Sequence, residues 1–137
     1  MTKLQRLYEE QGQSPWLDNL TRVYLGDGTL GRLVADGIRG VTANPTILAR
    51  AIEGSDAYDE QFVARIAQGW PVTDAYWDLV TDDIGGALGA LRPTFDASGG
   101  SDGFVSVEVA PSWPVTPRPP SPLPAGCMSG SPSRTCW

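Results

Sequence analysis

Residues 102–124 read DGFVSVEVAPSWPVTPRPPSPLP, and the two halves of this stretch follow different rules. In the first half Val105, Val107 and Val109 alternate with Ser106 and Glu108, the period of a strand with one apolar face. In the second half prolines recur too closely for a sheet ladder or a packed helix. Two questions follow. One is which sheet the strand joins; the other is whether the proline tract belongs to the same fold.

The upstream sequence answers the first. Leu4, Leu7 and Tyr8 form the stripe of a short helix. SPWLDNL, residues 14–20, reads as a strand with Trp16, Asp18 and Leu20 on one side and Leu17 and Asn19 on the other. DGTLGRLVADG, residues 27–37, is a helix with Leu30, Leu33 and Val34 inward, closed by Gly37. GVTANPT, residues 40–46, is a second short strand that Pro45 ends, and TILARAI starts the next helix. Ser55 is an N-cap for a helix carrying Tyr58, Phe62 and Ile66. Thr73 caps a longer helix with Tyr76, Val80, Ile84, Leu88 and Leu91 inward, weakened by Gly85, Gly86 and Gly89 and stopped by Pro93. The DASGGSDG loop then leads to FVSVEV, the third strand. Strand and helix alternate without internal repeat, which predicts an α/β fold with a parallel sheet.

The totals bound the rest. A chain of 137 residues, 41% hydrophobic and 19% charged, suits one domain of ordinary size. No apolar run is long enough to cross a bilayer, and MTKLQRLYEEQGQ is charged and amphipathic rather than a signal peptide. The expected compartment is therefore the cytoplasm, without a membrane partner. A net charge of -6 and a pI near 4.4 argue against nucleic acid as a partner. All 16 acidic residues lie at or before Glu108, whereas seven of the 12 prolines and both cysteines, Cys127 and Cys136, fall after Ser112. The chain divides into a body, residues 1–111, and a Pro-rich tail without order, residues 112–137. Two cysteines and no histidine make neither a zinc site nor a disulfide framework.

Each strand carries polar groups where apolar ones would be the plain choice: Asp18 on the first, Thr42 and Asn44 on one face of the second, Glu108 on the face of Ser106 on the third. In a β/α barrel such groups converge at the C-terminal mouth. A carboxylate held there in a low-dielectric site is suited to proton relay. The plain alternatives are that Asp18 and Asn44 serve as turn or helix caps, and that Glu108 faces solvent.

SPWLDNLTR (14–22), GIRGVTANPTI (37–47), GSDAYDEQF (54–62), DAYWDLVTDDI (74–84) and SDGFVSVEVAP (101–111) together resemble the N-terminal part of bacterial transaldolases, from about residue 4 to Ser112. Ala43 and Leu48 stand where the family pattern has Ser and Phe. The resemblance implies the first three βα units of a (β/α)8 TIM barrel of the pentose phosphate pathway. Such an enzyme moves a dihydroxyacetone unit from sedoheptulose 7-phosphate to glyceraldehyde 3-phosphate through a lysine Schiff base, without metal or organic cofactor. It also implies roles: Asp18 as the catalytic aspartate that handles protons at the substrate hydroxyls, Asn44 with Thr42 beside it as substrate-binding, and Glu108 as acid/base through a water.

The Schiff-base lysine is not on these strands. The one lysine, Lys3, lies in the first helix, ahead of the first strand, and reads as a solvated surface residue. The family's lysine lies on the strand after the one that matches FVSVEV. The tail offers a reason: with one nucleotide restored after the Ser112 codon, it re-reads as an alanine- and arginine-rich helix leading to a Val-Lys strand. The expectation is thus a frameshifted transaldolase fragment, inactive alone. The rival reading is a non-enzymatic chain whose PRPPSPLP segment forms polyproline II and binds an SH3- or WW-like partner.

Overall fold

The computed structural model describes residues 1–108; Val109, the tail with its proline segment, Cys127 and Cys136 lie outside the described residues. Helix α1 (Lys3–Gln11) is opened by a capping box between Thr2 and Gln5 and closed by Gly12 in the left-handed region. Strand β1 (Trp16–Leu17) leads to α2 (Arg22–Gly26) and α3 (Thr29–Asp36), then to β2 (Gly40–Ala43). Helix α4 (Pro45–Glu53), a 3-10 turn (Asp56–Tyr58), α5 (Asp59–Ala67) and the long α6 (Val72–Ala97) precede β3 (Phe104–Val107). The sheet is parallel in the order β1-β2-β3, as the alternation of elements predicts.

The register fixes what each face carries. On the central strand Gly40 pairs with Trp16 and Phe104, and Val41 with Leu17 and Val105. Thr42 pairs with Ser106, and Ala43 with Val107. Leu17, Val41, Ala43, Val105 and Val107 point into the core, where they meet Leu20, Leu30 and Leu48 and the α6 stripe of Val80, Ile84, Ala87 and Leu91. The opposite face carries Trp16, Gly40 and Phe104 at its N-terminal end. There the Trp16 indole lies so close over Gly40 that a Cβ on the glycine would sit 2.4 Å from the ring.

Two polar networks tie these elements together. At the N-terminal ends of the strands, Asp102 accepts from Arg39 Nε at 2.5 Å and from Ser14 Oγ at 2.8 Å, and Ser14 Oγ accepts from the Trp16 indole at 3.0 Å. The Arg39 guanidinium also stacks 3.5 Å over the Tyr8 ring, which seats α1. On the helical side, Asp83, only 2% exposed, accepts from Arg22 Nε at 2.8 Å and from the Tyr58 hydroxyl at 2.6 Å. Burial, then the Asp83 hydrogen bond, pushes the Tyr58 hydroxyl up from 10.0 to about 12. Next to it burial alone would raise Asp78, but hydrogen bonds from Arg65 and Gln61 outweigh it and hold that carboxyl below the usual range.

Several elements depart from the sequence reading. Strand β1 has two paired residues, and Leu20 turns into the helical core, 1% exposed, instead of sharing a face with Trp16 and Asp18. The chain leaves the sheet early because Thr21 caps α2, a helix not anticipated, by accepting from the Tyr24 N–H. Thr73 is not the cap of α6: Pro71, which lacks an N–H of its own, stands at that position. Pro93 does not stop α6, which runs on to Ala97. Pro93 deprives Gly89 of an intrahelical donor, yet both residues are exposed, so water can take the bond. Pro45 likewise opens α4 at its first turn, with Asn44 as N-cap.

Two outcomes follow. Gly40→Ala is expected to cost about 1–3 kcal/mol of unfolding free energy through the clash with Trp16. Gly85→Ala, on the exposed side of α6 with nothing near the added methyl, is expected to gain about 0.5–1 kcal/mol. Urea denaturation checks both. The folded chain also holds the Tyr58 proton to higher pH than the unfolded chain, so the associated stability is intact below pH 10.0 and lost as pH rises to about 12. Tyr76, raised by burial, titrates in the same direction, so the difference between wild type and Tyr58→Phe in denaturation midpoint against pH isolates Tyr58.

Candidate active site at the C-terminal ends of the strands

The polar face of the sheet has layers. Above Trp16, Gly40 and Phe104, the register sets Thr42 level with Ser106, with Asp18 next after Leu17 on the β1 side. The Thr42 hydroxyl donates to Asp18 Oδ1 at 2.6 Å. The Glu108 N–H donates to Ala43 O at 3.1 Å, which continues the ladder and brings Glu108 level with Asn44, one layer nearer the strand ends. The structure therefore brings Asp18, Thr42, Asn44 and Glu108 to one face and one end of the sheet. Ser106, noted in the sequence only as sharing a face with Glu108, belongs to the same set.

Each group is held by a different local device. Asp18 follows the last paired residue of β1 and is oriented by Thr42, with Leu20 anchored in the core just beyond. Asn44 has both functions the sequence left open: it stands at the strand end, and its Oδ1 accepts from the Ile47 N–H at 2.9 Å as the cap of α4. That fixes the amide plane and leaves the Nδ2 side to donate. Glu108 is placed by its backbone. Asp18 and Glu108 stand on strands either side of β2, about two strand spacings or roughly 10 Å apart.

In this chain Asp18 and Glu108 are exposed and Thr42 and Asn44 half-buried, so the low-dielectric mouth expected from the sequence is not formed by the described residues. Lys3 lies elsewhere. Its helix is bound to the end of α3, where Gln5 Nε2 donates to Ala35 O and the Thr2 hydroxyl to Asp36 O, just ahead of the first residue of β2. That is the N-terminal end of the sheet, opposite Asn44 and Glu108. Among the described residues no group of three or more His, Cys, Asp or Glu side chains is arranged to hold a metal, and no helix is long and apolar enough to cross a membrane.

The profile of the transaldolase/fructose-6-phosphate aldolase family matches residues 15–116. Transaldolase 2 of Nostoc punctiforme is 43% identical over 105 residues, which cover 76% of this chain and 28% of that protein. The transaldolase of Thiobacillus denitrificans is 45% identical over 101 residues, covering 73% of this chain and 28% of its own. Transaldolase 1 of Streptomyces avermitilis is 42% identical over 109 residues, covering 79% and 29%. The chain spans less than a third of the length of these curated relatives. With the family profile matching most of its residues and relatives above 40% identity, the chain belongs to the transaldolase/fructose-6-phosphate aldolase family.

Proposed function

We propose that the chain contributes the first three βα units of a (β/α)8 barrel and, with them, the proton-handling part of a transaldolase site. The substrates are sugar phosphates: a dihydroxyacetone unit passes from sedoheptulose 7-phosphate to glyceraldehyde 3-phosphate. The observation that carries the reading is the bond from the Thr42 hydroxyl to Asp18 Oδ1 on the polar face. It holds one carboxylate oxygen and leaves Oδ2 to take or return a proton at a substrate hydroxyl. Asn44, with Oδ1 held by the α4 cap, offers its amide nitrogen to a substrate oxygen. Glu108 acts as acid/base through a water.

The amine of the Schiff base comes from a strand other than these three, since Lys3 sits at the far end of the sheet. The chain by itself is therefore inactive. The division into a family body, residues 1–111, and an out-of-frame tail, residues 112–137, belongs to the same proposal. Its support is the change of composition after Glu108.

A hybrid tests this reading: residues 15–108 replace the matching stretch of the Nostoc punctiforme transaldolase 2. The hybrid is expected to turn over, and Asp18→Asn or Glu108→Gln to lower kcat by about 10²-fold. Lys3 lies outside the transplanted segment. The 137-residue chain alone is expected to give no borohydride-trapped adduct with sugar phosphate, at Lys3 or elsewhere. An Asp18→Asn hybrid as fast as its parent, or an adduct on Lys3, would contradict the assignment.

A further inference from the structure

We infer that Tyr58, Asp83 and Arg22 form a strut that positions Asp18, acting through the turn between β1 and α2. Only Asn19, Leu20 and Thr21 separate Asp18 from Arg22. The near end of that span is held by the pairing of Leu17 with Val41. The far end is held by Arg22, through both backbone and side chain. Its N–H donates to the Tyr58 hydroxyl at 2.8 Å, and its guanidinium donates to Asp83 Oδ1 and Gln61 Oε1, each at 2.8 Å, and to Leu79 O at 3.2 Å. The guanidinium also lies 4.4 Å over the Tyr58 ring.

The choice of residues favours orientation over bulk stability. Asp83 sits on α6 beside core positions, 2% exposed, where an apolar side chain would avoid the desolvation cost of a carboxylate. What the carboxylate adds is direction: one oxygen fixes Arg22 and the other fixes the hydroxyl that receives the Arg22 N–H. Among the described residues no buried side-chain N or O lacks a hydrogen-bond partner, so the strut is complete. With both ends of the Asp18–Arg22 span fixed and Leu20 buried between them, Asp18 has little freedom left beyond its own rotamer, which Thr42 sets. The functional weight of this strut rests on the reading above that Asp18 handles protons. Its mechanics do not.

The test is Tyr58→Phe in the full chain, which keeps the ring and removes the hydroxyl. NMR reads amide exchange along the chain and the Hα–Hβ coupling of Thr42, whose rotamer depends on its bond to Asp18. Exchange at Asn19, Leu20 and Arg22 is expected to quicken about tenfold while the Glu108 amide is unchanged. The Thr42 coupling is expected to move toward the averaged value of free rotation, with Asp18→Ala measured alongside as the reference. An unchanged Thr42 coupling, or exchange that quickens equally everywhere, would overturn the inference. If Tyr58→Phe does not fold, Asp83→Asn replaces it, keeping an oxygen for Arg22 but setting a donor against the hydroxyl; loss of folding there too would assign the network to global stability and overturn it. If Asp18 is not a proton-handling group, the hybrid rates reveal that separately and these readouts stand.

Discussion

The ion pair between Arg39 and Asp102 is the constraint on which the arrangement of the sheet depends. Asp102 is 5% exposed, and its carboxylate gathers Arg39, immediately before β2, and Ser14, two residues before β1, to the residue ahead of Gly103 and β3. Two backbone bonds close the same end: Arg39 N–H to Pro15 O at 2.8 Å, and Gly103 N–H to Arg39 O at 2.9 Å. A buried pair of this kind contributes little net stability against an apolar substitute, although removing one partner costs about 3–5 kcal/mol. Its larger effect is on register. In a sheet with one buried face, a slip of one residue would turn Val41 and Ala43 out of the core and bring Thr42 into it.

From that register the candidate site follows. The residues that alternate with the buried valines stack in layers, an aromatic one of Trp16 and Phe104 beneath a polar one of Asp18, Thr42 and Ser106, with Asn44 and Glu108 above. The aromatic layer fits only because Gly40 leaves room for the indole. The polar layer needs no buried charge in this chain, and the cost of enclosing its carboxylates falls on whatever covers the face. The helical side carries the opposite load. There the Arg22–Asp83–Tyr58 network and the α6 stripe set where the strand ends turn into helices.

Much of this was legible in the sequence, for physical reasons that differ by element. The valine alternation in β3 and the Gly-Val-Thr-Ala-Asn-Pro run of β2 carry their periodicity openly, and the four polar candidates fall on one face as their spacing predicts. The ends of the elements were less legible. Leu20 obeys the alternation of a strand but is claimed by the helical core, a tertiary effect that local pattern cannot register. Helix α2, capped by Thr21, has five residues and is too short to show a stripe. Pro93 reads as a stop signal, but on an exposed helix face the freed carbonyl has water available. The Tyr58–Asp83 pair joins residues far apart in the chain, and nothing in their separate neighbourhoods announces it.

The most direct measurement of the account is therefore of the β2–β3 register. In a Cys127→Ser, Cys136→Ser background, Thr42→Cys with Ser106→Cys places two thiols level on neighbouring strands and on one face, within the Cα separation that a disulfide accepts. Mild oxidation followed by mass spectrometry is predicted to show an intramolecular disulfide in that pair and none in Thr42→Cys with Val105→Cys, whose side chains point to opposite faces. The reverse pattern would contradict the register, and with it the shared face on which Asp18, Thr42, Asn44 and Glu108 meet.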